Sequence, residues 1–355
     1  MMLYIHLPFC KRKCKYCAFC SGTFSQETQS QYIDRVISLI KHYTCNKHVE
    51  TIYIGGGTPS ALALPLWERL LSSISGVVDV SALQEFTVEC NPESTEEKLL
   101  AMLKAGGVNR LSFGIQSLCD SELLTIGRLH SAQTARHALR LASQMGFKNI
   151  SADLIYGLPG QTVESFVYSL KSLLCENINH LSCYNLQIEE NTPLFEERND
   201  FSLPDEDAQL EMYEQLCTLT KQAGFVHYEI SNFCKDDCEA VHNSGYWSGK
   251  DYIGIGAAAH SKIGNKRYSF TSDVLAFIEK SNCLFDEQID LTHQDIRQEN
   301  IMLGLRTYRG VPLSILDNEK VERFVQLKLG RVENGYFILN DKGFMVSNSI
   351  ITELI

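Results

Sequence analysis

The stretch LYIHLPFCKRKCKYCAFC, residues 3–20, joins a short apolar run to four closely spaced cysteines. The apolar run predicts a β-strand, and Cys10, Cys14, Cys17 and Cys20 fall on the loop that follows it. Thiols grouped this tightly indicate a metal centre before disulfide bonds, because cysteines are kept reduced in the cytoplasm. The sequence therefore places a candidate metal site directly after its first predicted strand.

The spacing C-x3-C-x2-C of Cys10, Cys14 and Cys17 narrows the choice of metal. Structural zinc normally takes four ligands, usually from two separate pairs, and outside this loop the only other close pair is CKDDC at 234–238. Three thiolates on one loop suit a 4Fe–4S cluster that keeps one iron open. Cys20 as a fourth ligand would occupy the open iron, so we do not include Cys20 among the predicted ligands. Spacing alone leaves zinc and plain buried thiols open.

Composition and charge describe an ordinary globular chain, since 44% of its 355 residues are hydrophobic and 21% are charged. The net charge of −11 disfavours a general nucleic-acid surface, although KRKCK at 11–15 is locally basic. No apolar run reaches the roughly 18 residues that cross a bilayer, and the residues ahead of the cysteine loop do not resemble a signal peptide. We therefore expect a cytoplasmic protein without a transmembrane segment.

Short β-branched or aromatic runs alternate with amphipathic helical patterns over the first two-thirds of the chain. This alternation predicts a parallel sheet of βα units. The predicted strands are 3–7, 51–56, 85–90, 110–115, 150–156 and 181–186, and the predicted helices include 30–43, 95–106, 132–146 and 164–176. Six units fall short of the eight of a full barrel, so we predict an α/β fold with a partial (β/α)6 barrel. A doubly wound open sheet is the alternative.

The pattern changes after residue 200, and we predict three segments. These are the barrel over 1–230, an extension with the motif HNSGYW over 231–284, and a smaller C-terminal winged-helix-like α/β domain over 285–355. Within the last segment, 292–306 is predicted to be helical. The stretch GYFILNDKG at 335–343 predicts a hairpin wing with its turn at the Asn-Asp pair.

Polar and glycine-rich features follow the ends of successive predicted strands. The cysteine loop follows the first strand, and GGGTP at 55–59 follows the second. Glu89 and Asn91 close the third, Gln116 closes the fourth, and Asp153 lies near the end of the fifth. Ligands bind at this edge in parallel barrels and open sheets, whereas polar residues that only solvate a surface would scatter over both ends. We therefore predict one ligand site at this edge.

Seven motifs together resemble one known family. They are HLPFCKRKCKYCAF, GGGTPS, ECNPES, NRLSFGIQSL, GRLH, DLIYGLPGQT and HNSGYW. The cysteine spacing, with the aromatic Tyr16 before the third cysteine, is similar to the signature of radical S-adenosylmethionine (SAM) enzymes. The whole set resembles the oxygen-independent coproporphyrinogen III oxidase family, and above all its branch of radical SAM haem chaperones. The resemblance runs from Tyr4 to about His260 and is weaker in the tail.

The resemblance implies a 4Fe–4S cluster held by Cys10, Cys14 and Cys17, with SAM bound at the open iron. Electron transfer from the reduced cluster would then cleave SAM to a 5′-deoxyadenosyl radical. Glycines in GGGTP would let backbone N–H groups approach the methionine moiety, because glycine has no Cβ. The positions that match cofactor contacts of the family are Gly56, Gly57, Thr58, Glu89, Gln116, Arg128 and Asp153, with Tyr4 and Tyr16 lining the site.

The motif HNSGYW at 242–247 marks a second predicted site. Neutral imidazole is a good axial ligand for haem iron, and aromatic side chains can pack on a porphyrin face. In the haem-chaperone branch this pattern is associated with haem binding, so the resemblance makes His242 the candidate ligand. A loop histidine beside tyrosine and tryptophan is more often simply held by its neighbours, and His260 is the rival ligand.

Two functions follow from the resemblance. The alternative to a haem chaperone is an oxygen-independent coproporphyrinogen III oxidase, which abstracts a hydrogen from a propionate side chain that then loses carbon dioxide to give a vinyl group. A haem chaperone would bind haem or porphyrin, accept electrons from a donor for its cluster, and pass haem to acceptor proteins. The oxidases carry an extra cysteine two places after the third cluster cysteine, where this chain has Phe19, and a longer segment ahead of the cluster. We therefore expect a chaperone without coproporphyrinogen oxidase activity, and we assign no catalytic residue. A zinc-binding scaffold, the third hypothesis, does not account for the strand-end pattern.

Overall fold

Six parallel strands form the centre of the fold. The computed structural model describes residues 1–235, 237–280 and 282–355. The six strands and their helices are β1 (Met2–Leu7), α1 (Gln26–Thr44), β2 (Thr51–Gly56), α2 (Leu64–Ser75), β3 (Glu85–Cys90), α3 (Glu97–Ala105), β4 (Arg110–Gln116), α4 (Asp120–Thr125), α5 (Ala132–Gln144), β5 (Asn149–Tyr156), α6 (Val163–Leu174) and β6 (His180–Asn185). Each predicted strand lies within one residue of these bounds.

The order of the strands distinguishes between the two predicted architectures. The six strands follow one another across the sheet from β1 to β6, and each pairs in parallel with the next. A doubly wound sheet reverses its order at a switch point, whereas this one winds in a single direction. The predicted partial (β/α)6 barrel is therefore confirmed, and the carboxyl ends of its strands meet at one edge.

One hydrophobic core packs the helices against these strands. Trp67 of α2, Phe86 of β3, Phe113 of β4 and Phe166 of α6 are among its buried side chains. Parallel strands covered on both faces are nearly continuous apolar runs in the sequence. The predictions of strand position were accurate for this reason.

Side-chain caps fix several helix starts, and one start differs from its prediction. Ser25 and Ser131 accept hydrogen bonds from backbone N–H groups in the first turns of α1 and α5. The helix predicted from residue 95 begins instead at Glu97, after a short 3-10 turn. The hydroxyls of Ser94 and Thr95 donate to the Asn91 carbonyl, at 3.2 and 2.9 Å, and so hold that turn rather than cap the helix.

Further strands extend the sheet at both edges. The elements are α7 (Pro193–Glu196), α8 (Glu206–Gln222), β7 (Val226–Glu229), β8 (Asn232–Cys234), α9 (Val241–Trp247), β9 (Tyr252–Ile255), β10 (His260–Ile263), β11 (Lys266–Ser269), α10 (Val274–Glu279) and β12 (Glu287–Asp290). Strand β9 pairs in parallel with β1, and β10, β11 and β12 continue outward in antiparallel pairs. At the opposite edge β8 pairs with β6, and β7 with β8.

The chain ends in a small α/β unit with its own core. It contains α11 (His293–Gly304), β13 (Val311–Pro312), α12 (Asn318–Gln326), β14 (Gly330–Glu333), β15 (Tyr336–Leu339), α13 (Asp341–Met345) and α14 (Ser347–Leu354). Its three strands form an antiparallel sheet in the order β13-β15-β14. Its core includes Ile301, Phe324 and Phe337. This C-terminal unit is the predicted smaller α/β domain.

The hairpin wing of the C-terminal unit turns at a different place from the prediction. Strands β14 and β15 are joined at Asn334 and Gly335, whose φ angles of 50° and 80° are those of a tight hairpin turn. The predicted turn at Asn340 and Asp341 is instead the start of α13, where the Asn340 side chain accepts a hydrogen bond from the Gly343 N–H group. Asparagine serves both purposes, which is why the prediction failed.

The three predicted segments with boundaries at 230 and 284 remain a prediction. Strand β12 pairs with β11 in the large sheet, and the separate C-terminal core begins with Ile301 of α11. We therefore propose that the smaller domain starts after Asp290. Among the described residues, no helix combines the length and the apolar character needed to cross a membrane.

Candidate functional site

Three of the four clustered cysteines line one small cavity at the carboxyl edge of the barrel. Cys10, Cys14 and Cys17 surround a space of about 140 Å³ that follows the ends of β1 to β5. Backbone hydrogen bonds hold their loop: the Cys10 N–H group donates to the Gly22 carbonyl at 2.9 Å, and Lys15 N–H donates to the Ile126 carbonyl at 3.1 Å. The loop is therefore tied both to itself and to the segment after α4.

Cys20 lies apart from the other three cysteines. Its thiol donates to the Ser272 carbonyl at 3.3 Å, and its side chain lines a neighbouring cavity rather than the one around Cys10, Cys14 and Cys17. Cys20 thus lies outside the cavity of the other three cysteines, and their assignment as the metal ligands stays a prediction.

The glycine run after β2 packs tightly against the cysteine loop. The N–H groups of Gly57 and Thr58 donate to the carbonyls of Leu7 and Phe9, at 2.8 and 2.7 Å. A Cβ on Gly57 would lie 2.8 Å from the Phe9 oxygen, so only glycine permits this approach. Gly56 has a φ of 116° and no room beside His6. These glycines serve protein packing, and their predicted approach to a ligand stays a prediction.

Arg128 links the cysteine loop to the ends of two strands. Its Nη1 donates to the Cys14 sulfur at 3.4 Å, while Nη2 donates to the Asn91 side-chain oxygen at 2.9 Å and the Gly114 carbonyl at 2.6 Å. The residue is buried, although it is charged. It therefore provides a fixed positive charge beside the thiols.

Two carboxyl groups, Glu89 and Asp153, line the same cavity. Glu89 accepts hydrogen bonds from the Tyr53 hydroxyl at 2.7 Å and from the Gly56 N–H group at 3.0 Å. Burial raises the pKa of both Glu89 and Asp153 to about 6. Carboxyl groups held at this pKa gain stability from a bound cation, because a nearby positive charge favours the ionised form.

Two of the remaining predicted contacts line the small cavity, and the third lines the neighbouring one. Gln116 lines the cavity and has a φ of 70°, next to a break in the register between β4 and β5. Tyr16 lines it as well, whereas Tyr4 faces the neighbouring cavity, where its hydroxyl is hydrogen-bonded to His6 Nδ1 at 2.9 Å. Sequence analysis missed His6, although it lies two residues after Tyr4 in β1 and period-two alternation puts both on one face.

A larger cavity of about 510 Å³ adjoins the first and shares Gly56, Glu89 and Phe19 with its wall. Its wall is aromatic and basic. The contributing side chains include Tyr4, Tyr246, Tyr252, Lys250, Lys262, Arg267 and His260. The His260 residue is exposed. A cavity of this size can hold a small-molecule ligand, and its basic side chains favour one that carries negative charge.

His242 is fully buried in α9, behind this larger cavity. Its Nδ1 is hydrogen-bonded to the Thr51 hydroxyl and its Nε2 to the Tyr246 hydroxyl, both at 2.8 Å. Burial, with a smaller contribution from the charge of Arg110, lowers the pKa of His242 to about 3. The imidazole is therefore neutral, as a haem ligand must be, but both nitrogens are engaged. Its role as a haem ligand stays a prediction, which requires Tyr246 to move.

Comparisons with known proteins agree with this architecture. The model of the Radical SAM superfamily matches residues 4–173. The curated heme chaperone HemW of Lactococcus lactis is 32% identical over 99% of this chain and 96% of that protein. HemW of Escherichia coli is 39% identical over 74% of this chain and 70% of that protein. The chain belongs to the HemW family. Among solved structures, coproporphyrinogen III oxidase of Escherichia coli has a TM-score of 0.85 at 24% identity, covering 99% of this chain and 88% of that one, which shows a shared fold.

The residues of the small cavity fit the cofactors of the radical SAM superfamily. Membership implies a 4Fe–4S cluster and SAM. Three thiols on one loop would provide the sulfur ligands of such a cluster, and the two carboxyls would provide negative charge for a sulfonium compound. The cluster would supply an electron for cleavage of SAM. The protein itself contributes the rigid loop, the Arg128 charge and a site enclosed by Tyr16 and Gln116.

Proposed function

We propose that this protein is a radical SAM haem chaperone that binds a 4Fe–4S cluster, SAM and haem, and delivers haem to acceptor proteins. The observation that carries the proposal is the pair of adjoining cavities, which share Gly56 and Glu89. Its relatives named heme chaperone HemW support the haem part of the proposal. Within the small cavity we assign the cluster to Cys10, Cys14 and Cys17.

The larger cavity is the proposed haem site. Tyr4, Tyr246 and Tyr252 offer aromatic faces for the porphyrin. Lys262 is the best placed cation for a propionate, since among the described residues its Nζ is hydrogen-bonded only to the Gly249 carbonyl, at 2.9 Å. Lys250 and Arg267 lie on the same wall but are paired with glutamates.

Two histidines remain candidates for the haem ligand. The exposed His260 can present its ring to the larger cavity without a rearrangement. His242, the ligand that the sequence resemblance predicts, reaches the cavity only after its hydrogen bond to Tyr246 is broken. The geometry therefore favours His260 as the first ligand to test, with His242 as a ligand of a rearranged state.

The Phe19 side chain supports the chaperone over the oxidase. Phe19 stands at the position where the resemblance places an additional cysteine in the oxidases, and it is 68% exposed at the rim of both cavities. A phenyl ring cannot take part in thiol chemistry there. We propose that it forms part of an apolar rim over which haem enters and leaves. A cytoplasmic location and an external electron donor complete the proposal.

The deciding experiment uses reconstituted, anaerobic protein. Haemin titration should shift the Soret band, and the loaded protein should transfer haem to a haem-free acceptor such as apomyoglobin. In parallel, reduced protein is incubated with SAM and coproporphyrinogen III. We expect haem binding and transfer without formation of vinyl product. Vinyl product would identify an oxidase, and absence of a Soret shift would exclude a chaperone.

A further inference from the structure

A second group of metal-ligating side chains lies far from the cysteine loop, where the barrel meets the C-terminal unit. Cys217 of α8, His227 of β7 and Asp341 of α13 each direct one ligand atom into a common space, and these three atoms lie within 4.8 Å of one another. The residues come from three elements separated by up to 124 positions, since 341 − 217 = 124. Folding alone brings them together.

The hydrogen bonding of His227 resembles a metal site without its ion. Its Nδ1 is hydrogen-bonded to Asp341 Oδ1 at 2.9 Å, while within the described part of the chain its Nε2 makes only a long hydrogen bond, 3.4 Å, with the Ile230 carbonyl. The imidazole is held in place by Phe233, which stacks on it at 4.2 Å with an interplanar angle of 16°, and by Phe344 at 5.0 Å. A ligand fixed in this way loses little conformational freedom when a metal binds.

Tyr213 provides an independent observation at the same place. It lies one turn before Cys217 on α8 and is 8% exposed. Its hydroxyl lies beside the Cys217 thiol and interacts with it, although no hydrogen bond of normal geometry joins this hydroxyl to the described residues. A buried hydroxyl that is weakly hydrogen-bonded destabilises the fold. A metal-bound water beside Cys217 would give this hydroxyl a hydrogen bond of normal geometry.

The donor set selects the class of metal. Calcium and magnesium prefer oxygen ligands, whereas zinc accepts thiolate, imidazole and carboxylate together in tetrahedral geometry. Ligand atoms around a tetrahedral zinc ion are roughly 3.3–3.6 Å apart, as follows from bond lengths of about 2.0–2.3 Å. The three ligand atoms lie within 4.8 Å of one another, so side-chain rotations must bring them to those values when zinc binds.

We propose that Cys217, His227 and Asp341 bind a zinc ion that fastens the C-terminal unit to the barrel. The Asp341 side chain is 62% exposed, so the fourth position opens toward solvent and takes water. On binding, the thiol of Cys217 loses its proton to solvent and the metal replaces the hydrogen bond between His227 and Asp341. No electron transfer is involved. The site is independent of the cluster and of haem.

The test measures zinc in protein whose 4Fe–4S cluster is fully loaded, so that the cluster cysteines are occupied. After equilibrium dialysis against micromolar zinc, elemental analysis should give one zinc per chain in addition to the iron. Calorimetric titration gives the affinity. Cys217→Ser and Asp341→Asn should each weaken zinc binding at least about tenfold. Cys175→Ser, which removes an exposed thiol elsewhere, is the matched control and should bind zinc normally.

Each outcome of the zinc experiment is decisive. Asp341 is exposed, so Asp341→Asn should keep its fold, and unchanged circular dichroism verifies this. Loss of zinc in both variants but not in the control supports the site. Absence of bound zinc in the parent protein overturns it, and so does normal binding in either variant, because the proposal requires all three ligands. Failure here would leave the haem-chaperone proposal untouched.

Discussion

The guanidinium group of Arg128 donates a hydrogen bond to the Cys14 sulfur across 3.4 Å. The same side chain is bonded to Asn91 and to the Gly114 carbonyl, so the sulfur is connected to the ends of β3 and β4. Hydrogen bonds and positive charge at a ligand sulfur raise the reduction potential of an iron–sulfur cluster. We therefore expect Arg128 to affect the reduction potential of a cluster bound at Cys14 as well as the position of the Cys14 sulfur.

Arg128→Gln should lower the reduction potential of the reconstituted cluster. Loss of a charge-assisted hydrogen bond of about 1.4 kcal/mol corresponds to about 60 mV for one electron. The measurement is an anaerobic redox titration followed by electron paramagnetic resonance. Arg140→Gln, at an exposed arginine paired with Glu176, is the control. An unchanged potential in Arg128→Gln would contradict the assigned role.

Substitution of single cysteines should distinguish the role of Cys14 from that of Cys20. Cys14→Ala should lose the cluster, whereas Cys20→Ala should retain it, because Cys20 is directed at the Ser272 carbonyl outside the cluster cavity. Iron and sulfide content and the charge-transfer absorption after reconstitution provide the measurement. Loss of the cluster in both variants would require a fourth protein ligand and would exclude SAM from the open iron.

Glu89 should make SAM binding depend on pH. Its pKa is raised to about 6 by burial, so the negative charge that would attract the positively charged SAM is lost as the pH falls through that value. Glu89→Gln should weaken SAM binding about ten- to hundredfold at pH 7 and reduce its dependence on pH. Titration of cluster-loaded protein at several pH values measures both effects. Glu97→Gln, on the exposed face of α3, is the control.

The raised pKa of Glu89 also predicts how the free energy of unfolding depends on pH in the absence of SAM. Because the native pKa of Glu89, about 6, lies above its ordinary value of 4.5, the native state binds the proton more tightly than the unfolded state does. The resulting stabilisation is complete below pH 4.5 and is lost as the pH rises through 6. Glu89→Gln should therefore raise the free energy of unfolding at pH 7 by up to about 2 kcal/mol. Denaturant unfolding at pH 5 and pH 7 tests the sign.

Gly57→Ala should disturb the cysteine loop. Its Cβ would lie 2.8 Å from the Phe9 oxygen. The nearest atoms are all backbone atoms, which cannot move aside as a flexible side chain can. We expect a loss of about 1–3 kcal/mol in the free energy of unfolding, together with poor cluster assembly. Gly76→Ala is the matched control, because its Cβ would meet only ordinary contacts at 3.4 Å and its φ is helical. Equal behaviour of the two variants would refute the packing argument.

Haemin titration of two histidine variants should identify the ligand. His260→Ala should weaken the Soret shift, since His260 reaches the larger cavity as it stands. His242→Ala should leave the initial shift in place, because both of its nitrogens are hydrogen-bonded. The reverse result would assign the iron to His242 and show that Tyr246 moves aside. Tyr246→Phe, which releases Nε2 of His242, should then strengthen haem binding.

Sequence reasoning succeeded where the physical signal is local. Buried parallel strands are continuous apolar runs in the sequence, so their positions could be predicted. Regular alternation of strands and helices favours neighbouring parallel strands in chain order, so the barrel and its ligand edge could be predicted too. It failed where one residue type has two local uses. Asn334 and Asn340 are both turn formers, but one joins two strands and the other caps α13.

Long-range partners were beyond prediction. Nothing near His242 in the sequence reveals that Thr51, 191 positions away, would share its Nδ1. The same holds for the contact of Cys20 with Ser272, 252 positions away. Such contacts depend on tertiary packing, for which the sequence carries no local signal.

The two cavities share part of their wall, which would couple the binding of their proposed ligands. Gly56 and Glu89 line both cavities, so a ligand in one would change the surface available to a ligand in the other. By thermodynamic linkage, SAM would then change the affinity for haem by the same factor by which haem changes the affinity for SAM. With both sites occupied as proposed, the concentration of SAM would therefore help to set how readily haem is released.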